Sequence, residues 1–328
     1  VKQFGLAFAA WFEKYTFILI PGALVAGWFL SEQLSPYAYT IPYLFGYITL
    51  VMALGCGIGH LKAVMRQPFP IVLTLLLAHA AAPLVAYAIG ASIFGSQSDY
   101  TTGLMLFSVI PLGISAVLWV GTSGGNVPFI LSVVVLDTML SPIVVPFLME
   151  LLAGSTGLQW DTGQLVTDLF RMVVLPTALG VLIYELSKGK AKAWSAPVAQ
   201  PLSKLFFVCV VMINAAVIAP QAQSIRQDLL SVIPAVLLLI VLCYMLGYFG
   251  SYLAPGRTRE LGISLTYASG MRNISLGMVL ATAYFPPAVS VPVVLSILFQ
   301  QPVATVVHAV IQRIKTSSVK EGNHETFS

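Results

Sequence analysis

The sequence predicts an all-α integral membrane protein of ten transmembrane helices, arranged as two inverted sets of five. Three observations carry this. Of 328 residues, 58% are hydrophobic and only 9% charged, with a mean hydropathy of +0.91, far from the balance of a soluble domain. Apolar runs of about 20 residues, the length a hydrocarbon core of roughly 30 Å requires, recur along the whole chain. The lysines and arginines between those runs segregate to one side when the spans are alternated.

The spans fall at about 15–33, 41–59, 69–94, 101–121, 126–154, 165–187, 200–220, 227–252, 259–283 and 286–312. On the side of the termini lie Lys2, Lys14, Lys62, Arg66, Lys188, Lys190, Lys192, Lys204, Arg257, Arg259, Arg313, Lys315 and Lys320, and on the other only Arg171 and Arg226, a ratio of 13 to 2. Both termini are therefore expected in the cytoplasm, with the protein in the cell (inner or plasma) membrane. The first run follows Glu13 and Lys14 without a small-residue cleavage pattern and reads as a retained helix, not a signal peptide. Topology accounts for the formal charge of +4 and for basic groups such as 188-KGKAK-192, so no nucleic-acid partner is expected. Cys56, Cys209 and Cys243 lie in apolar segments with no CxxC or Cys/His cluster, which indicates neither disulfides nor a metal, and no cofactor is implied.

The polar stretch 155-STGLQWDTGQ-164 divides the chain into residues 1–154 and 165–313, five spans each, followed by a polar cytoplasmic tail over 314–328, of which 316-TSSVKEGNHETFS-328 is expected to be disordered. Because five is odd, the second set enters the membrane in the opposite sense to the first. The fourth span carries Pro111-Leu-Gly113 about ten residues from its outer entry, and the ninth carries Ser269-Gly270 at a similar depth from the inner side. A matched pair of interrupted helices is the strongest sequence pointer to a transporter's binding site. Taken singly, Pro111 can be a simple kink and Gly270 a close-packing residue.

Arg272, Asp137 and His79 lie deep within spans. Asp137 is roughly 16 Å and Arg272 roughly 20 Å from the starts of their spans, where each charge costs about 2.5–3.5 kcal/mol and must face the bundle interior. An Asp137–Arg272 ion pair is the structural expectation. Functionally, a helix restarting after Gly270 presents a positive N-terminus, to which Arg272 adds a fixed charge. A carboxylate could be held bidentately by the guanidinium, with Asn273, Ser275 and Ser115 as hydrogen-bond partners and Pro111, Gly113 and Gly270 shaping the breaks. The alternative is a structural Arg272 satisfied by Asp137 and freed carbonyls. His79 is either a proton relay or a histidine bonded to a neighbouring helix. Gln300 and Gln301, followed by Pro302, are expected to break the tenth span; they either line the cavity, as Thr138 is expected to, or bond to adjacent backbone. No Ser/His/Asp arrangement, P-loop or HExxH motif is present, so enzymatic chemistry is not expected.

The motifs 110-IPLGISAVLWVGTSGGN-126 and 270-GMRNISL-276, with Ser141-Pro142 in the fifth span, resemble the bile acid:sodium symporter family over about residues 10–313. The resemblance implies that helices 4 and 9 unwind and cross near the midplane. It also implies a core of helices 3–5 and 8–10, a panel of helices 1, 2, 6 and 7, and substrate between them. The family's sodium ligands do not carry over. Its acidic residue and glutamine around the ninth-span glycine become Ala268 and Arg272, its Ser-Asn in the fourth span becomes Ala116 and Val117, its fifth-span hydroxyls fall on Ile130 and Val134, and its third-span glutamine on Ala78. Aliphatic side chains cannot ligate sodium.

The expectation is a secondary transporter of a small organic anion by alternating access, with Arg272 replacing bound sodium as the positive charge. Transport without sodium leaves a uniporter, an exchanger, or a proton-coupled carrier using Asp137 or His79. Competing readings are a membrane receptor on the same scaffold, an anion channel, or a sodium symporter with relocated ion sites.

Overall fold

The computed structural model describes residues 2–66, 68–154, 160–221 and 228–324. Among these the chain is helical, with no strand and one isolated bridge. In chain order the main helices are α1 (Lys2–Phe29), α2 (Ile41–Ala53), α3 (Pro68–Ile93), α4 (Asp99–Val109), α5 (Ser115–Ser123), α6 (Val127–Ala153), α7 (Thr162–Leu186), α8 (Lys190–Ile218), α9 (Leu229–Gly250), α10 (Arg259–Gly270), α11 (Ile274–Tyr284) and α12 (Pro287–His324). Short helices Ser31–Leu34 and Ile58–Met65 flank α2.

Six helices (α3, α6, α7, α8, α9 and α12) are long and apolar enough to cross a membrane, or seven if the segments Ile18–Phe29 and Ser31–Ala53, bent by 88°, make one span. The stretches expected as the fourth and ninth spans are each two short helices, α4 with α5 and α10 with α11. Their surfaces suit a lipid solvent: Phe29, Ile143, Leu186 and Leu230 are exposed, whereas Asp137 and Arg272 are each only 1% exposed.

Local chemistry sets the helix starts. Ser98, Asn126 and Thr258 accept from the backbone N–H of Tyr100, Phe129 and Leu261 and so begin α4, α6 and α10. Within α3 the turn Leu77–Ala81 widens to a π-turn, and α7 does the same at Phe170–Val174. Each widening ends two residues before a proline, Pro83 or Pro176. A proline ring clashes with the carbonyl four residues back and offers it no N–H; a widened turn relieves both faults and frees a carbonyl for another partner.

One packed group joins α1, α2, α7 and α8; another joins α3, α4, α9, α10 and α12. Along α1, a Cβ on Gly27 would stand 2.2 Å from the Met212 carbonyl oxygen, so the α1–α8 approach requires glycine there. Asp161 of the expected 155–164 linker caps α7 through Gln164 N–H, and Trp160 packs on Phe285; residues 155–159 lie outside the described chain. The break expected at Gln300-Gln301-Pro302 does not occur. Helix α12 runs through Pro292 and Pro302 and continues to His324, beyond the start expected for a polar tail. A single proline removes one N–H from a helix otherwise intact on both sides, and neighbouring helices hold its course.

Candidate functional site

The two breaks meet. Leu112 and Arg272 form an antiparallel bridge, in which Gly113 N–H donates to Met271 O at 3.0 Å and Asn273 N–H to Pro111 O at 2.8 Å. Each break thus satisfies backbone groups that the other leaves free, as an apolar surrounding demands. The approach fixes Gly113: a Cβ there would sit 2.7 Å from Arg272 O and 3.0 Å from its carbonyl carbon. Gly270, at the end of α10, faces the Tyr244 ring, which would lie 2.4 Å from an added Cβ.

Gln300 of α12 completes the second break. Its Oε1 accepts from Arg272 N–H at 2.8 Å and its Nε2 donates to Arg272 O at 3.1 Å, so this side chain serves as a detached piece of backbone. The adjacent Gln301 points elsewhere, accepting from Trp119 Nε1 at 2.8 Å. Ser115 and Ser275 stand in the first turns of α5 and α11, and Asn273 caps α11 by accepting from Leu276 N–H. All three are half-buried, unlike the sealed breaks beside them.

Arg272 does not form the expected ion pair. Nη2 donates to Ala78 O at 2.9 Å and Nη1 to Ile110 O at 3.5 Å, with the Cys243 thiol alongside. Asp137 instead contacts His79, with Oδ1 2.6 Å from Nε2, while its Oδ2 accepts from Leu112 N–H at 2.7 Å. The physical reason is competition. The π-turn around Ala78 offers the guanidinium a carbonyl, and the first break offers the carboxylate a backbone N–H, so both charges are satisfied separately. For the same reason the guanidinium is not presented as a bidentate clamp, because its terminal nitrogens are committed and the residue is 1% exposed. Thr138, next to Asp137, is equally buried, and its Oγ1 has no partner; the same holds for Ser269 Oγ, Tyr244 OH, His79 Nδ1 and Arg272 Nε around the crossing.

A second polar cluster went unnoticed in the sequence. Ser123 Oγ lies 2.9 Å from Tyr267 OH and 2.8 Å from His308 Nδ1, tying α5, α10 and α12 together, with Trp119 stacked on Tyr267. Only the one-turn spacing of Trp119 and Ser123 hints at it. The π-turn that presents Ala78 O was signalled by Pro83, whereas nothing in the pattern places Cys243 beside Arg272.

The model of the Sodium Bile acid symporter family matches residues 42–227, more than half of the chain. The chain belongs to the sodium bile acid symporter family. Within reach of comparison is "Uncharacterized protein YbaS" of Bacillus subtilis (strain 168), 35% identical over 298 residues, covering 91% of this chain and 97% of that protein. The "Uncharacterized sodium-dependent transporter YocS" of the same strain is 26% identical over 251 residues, 75% of each chain. The "Probable sodium/metabolite cotransporter BASS2, chloroplastic" of Oryza sativa subsp. japonica is 26% identical over 254 residues, 77% of this chain and 59% of that one. Membership of the symporter family makes this chain a multi-pass membrane transporter, not an enzyme.

Proposed function

We propose that this member of the family carries a small organic anion by alternating access, without sodium at the family's ion positions. In this reading α4–α5 and α10–α11 are the fourth and ninth of ten spans in two inverted repeats. A core carrying the crossing moves against a panel built on α1, α2, α7 and α8, and both termini are cytoplasmic. The observation that carries it is the buried Arg272, held on the Ala78 and Ile110 carbonyls directly behind the crossing. A guanidinium on backbone carbonyls occupies an environment suited to a cation, and its charge is covalently fixed.

The anion would sit at the half-buried Ser115, Asn273 and Ser275, where the N-termini of α5 and α11 add their positive ends. Arg272 acts on it through space and not by contact. The side chains at the positions matched to sodium ligands, Ala78, Ala116, Ile130, Val134 and Ala268, are fully buried and contain no oxygen, which supports the loss of those sites.

Uptake of labelled small carboxylates into proteoliposomes, with sodium present or replaced, tests this. Saturable uptake independent of sodium and lost in Arg272→Gln is the expected result, and strict sodium dependence overturns it. That second outcome would favour a relocated sodium site. The names of the two sodium-dependent relatives and the unpartnered Thr138 and Ser269 hydroxyls point to it.

A further inference from the structure

We propose that the His79–Asp137 pair is the proton-binding site of this transporter, loading one proton with each monovalent anion. The inference rests on the anion-carrier reading and names its coupling ion. Geometry singles the pair out. His79 Nε2 and Asp137 Oδ1 are 2.6 Å apart, and the other carboxylate oxygen holds Leu112 N–H, inside the first break. A proton on this pair therefore acts one hydrogen bond away from the crossing. The pair lies at a cavity of about 270 Å³ whose other lining residues are aliphatic, among them Val72, Leu140 and Val144. No polar neighbour there dilutes a change of charge.

Charge balance gives the direction of coupling. Asp137 and Arg272 are the buried charged residues among those described, and Arg272 lies close enough to feel the carboxylate. With His79 neutral, carboxylate and guanidinium sum to zero. With the imidazole protonated, the group carries one net positive charge, which a monovalent anion neutralises. In low-dielectric surroundings the loaded states of lowest energy are both empty or both filled. The proton is taken up at Nε2 or Oδ1 on one side and released from the same atoms on the other, so the cycle carries no net charge.

Other titratable groups lie on the elements packed around the pair. They are Asp99 and Tyr100 of α4, Cys243, Tyr244 and Tyr248 of α9, Arg259, Glu260 and Tyr267 of α10, Asp168, Arg171, Tyr184 and Glu185 of α7, and His60 and Lys62 of the short helix Ile58–Met65. None of them hydrogen-bonds to His79 or Asp137.

Two measurements on the full chain test the proposal. The first needs no substrate. Nitrogen shifts of histidine-labelled protein, with His79 assigned by its loss in His79→Gln, are expected to change with the pH of the sample; a His79 signal that stays fixed overturns the proposal. The second uses labelled lactate, pyruvate and glycerate in sodium-free proteoliposomes, with protein-free vesicles as the baseline. An inward gradient of about one pH unit should drive about tenfold accumulation above that baseline and acidify a trapped pH dye. In His79→Gln and Asp137→Asn the ratio of gradient-driven accumulation to equilibrium exchange should fall toward one. Uptake without accumulation overturns the proton site and leaves the anion carrier standing. Failure of every probe to enter under any condition overturns the anion-carrier reading and its coupling, while the titration still decides whether the pair binds a proton.

Discussion

Gln300→Leu should destabilise the protein far more than Gln301→Leu, although the two residues are adjacent on one helix. The Gln300 amide makes two bonds to the backbone of Arg272, at 2.8 and 3.1 Å, and is 3% exposed. Leucine keeps the volume and removes both. Arg272 O retains Ile274 N–H as a donor, but Arg272 N–H is left buried without an acceptor. An orphaned buried donor costs about 1–3 kcal/mol and the second bond about 0.5–1.5 kcal/mol, so the expected loss is about 2–4 kcal/mol. Gln301 makes one interhelical contact, to Trp119, and such contacts in membrane proteins average about 0.6 kcal/mol. At roughly 2–4 °C per kcal/mol, the melting temperature in detergent, followed by size-exclusion chromatography of heated samples, should fall by about 5–15 °C for Gln300→Leu and by about 1–3 °C for Gln301→Leu. Equal melting of the two variants would refute the view that Gln300 substitutes for missing backbone.

Two further substitutions probe the crossing and its connection to the rest of the bundle. Gly113→Ala places a methyl against the Arg272 carbonyl, which is backbone and cannot step aside; a loss of about 1–3 kcal/mol is expected. Gly121→Ala, whose nearest neighbour would be Val127 Cγ2 at 3.4 Å, should be neutral or gain up to about 1 kcal/mol from helix propensity. Opposite shifts in melting temperature check the pair. Tyr284→Phe removes a hydroxyl that donates to the Asp168 carboxylate and thereby ties α11 to α7; a hydrogen bond to a charged group contributes about 1.5–3 kcal/mol, and an unchanged melting temperature would show that this tie is idle.

Much of this architecture was legible because apolar run length and glycine-proline interruption are strictly local signals. Pro111, Gly113 and Gly270 marked both breaks, and the matched depths marked them as partners. The membrane class followed from composition alone. Side-chain pairing was not legible, because it depends on which groups the breaks and π-turns release. Among the described residues Asp137 and Arg272 are the two buried charges, and opposite charges suggest a pair. Yet Leu112 N–H and Ala78 O, one freed by a break and the other by a widened turn, drew them apart. Gln300 was half legible for the same reason: a bond to backbone was one of its expected roles, but not which backbone. Beside Pro302 it resembled a helix breaker, whereas it repairs a break in another helix, a role set by a contact across 28 positions of sequence.

The separation of these two charges has a mechanistic consequence. A bound cation can couple transport to its own gradient because it arrives and leaves. Arg272 can do neither, since it is part of the chain; in the proposed anion carrier it would lower the energy of an anion at the crossing equally on every turnover, whichever side the site faces. A fixed charge supplies affinity and no driving force. If Arg272 were paired directly to Asp137, even that affinity would be largely cancelled. Because the carboxylate is engaged by His79 and Leu112 N–H instead, the proposed proton on that pair would switch its compensation of Arg272. In the proposed carrier the free energy for concentrating an anion must then come from a species that binds reversibly, and the His79–Asp137 pair, bonded to the crossing through Leu112 N–H, is the group to which we assign that species.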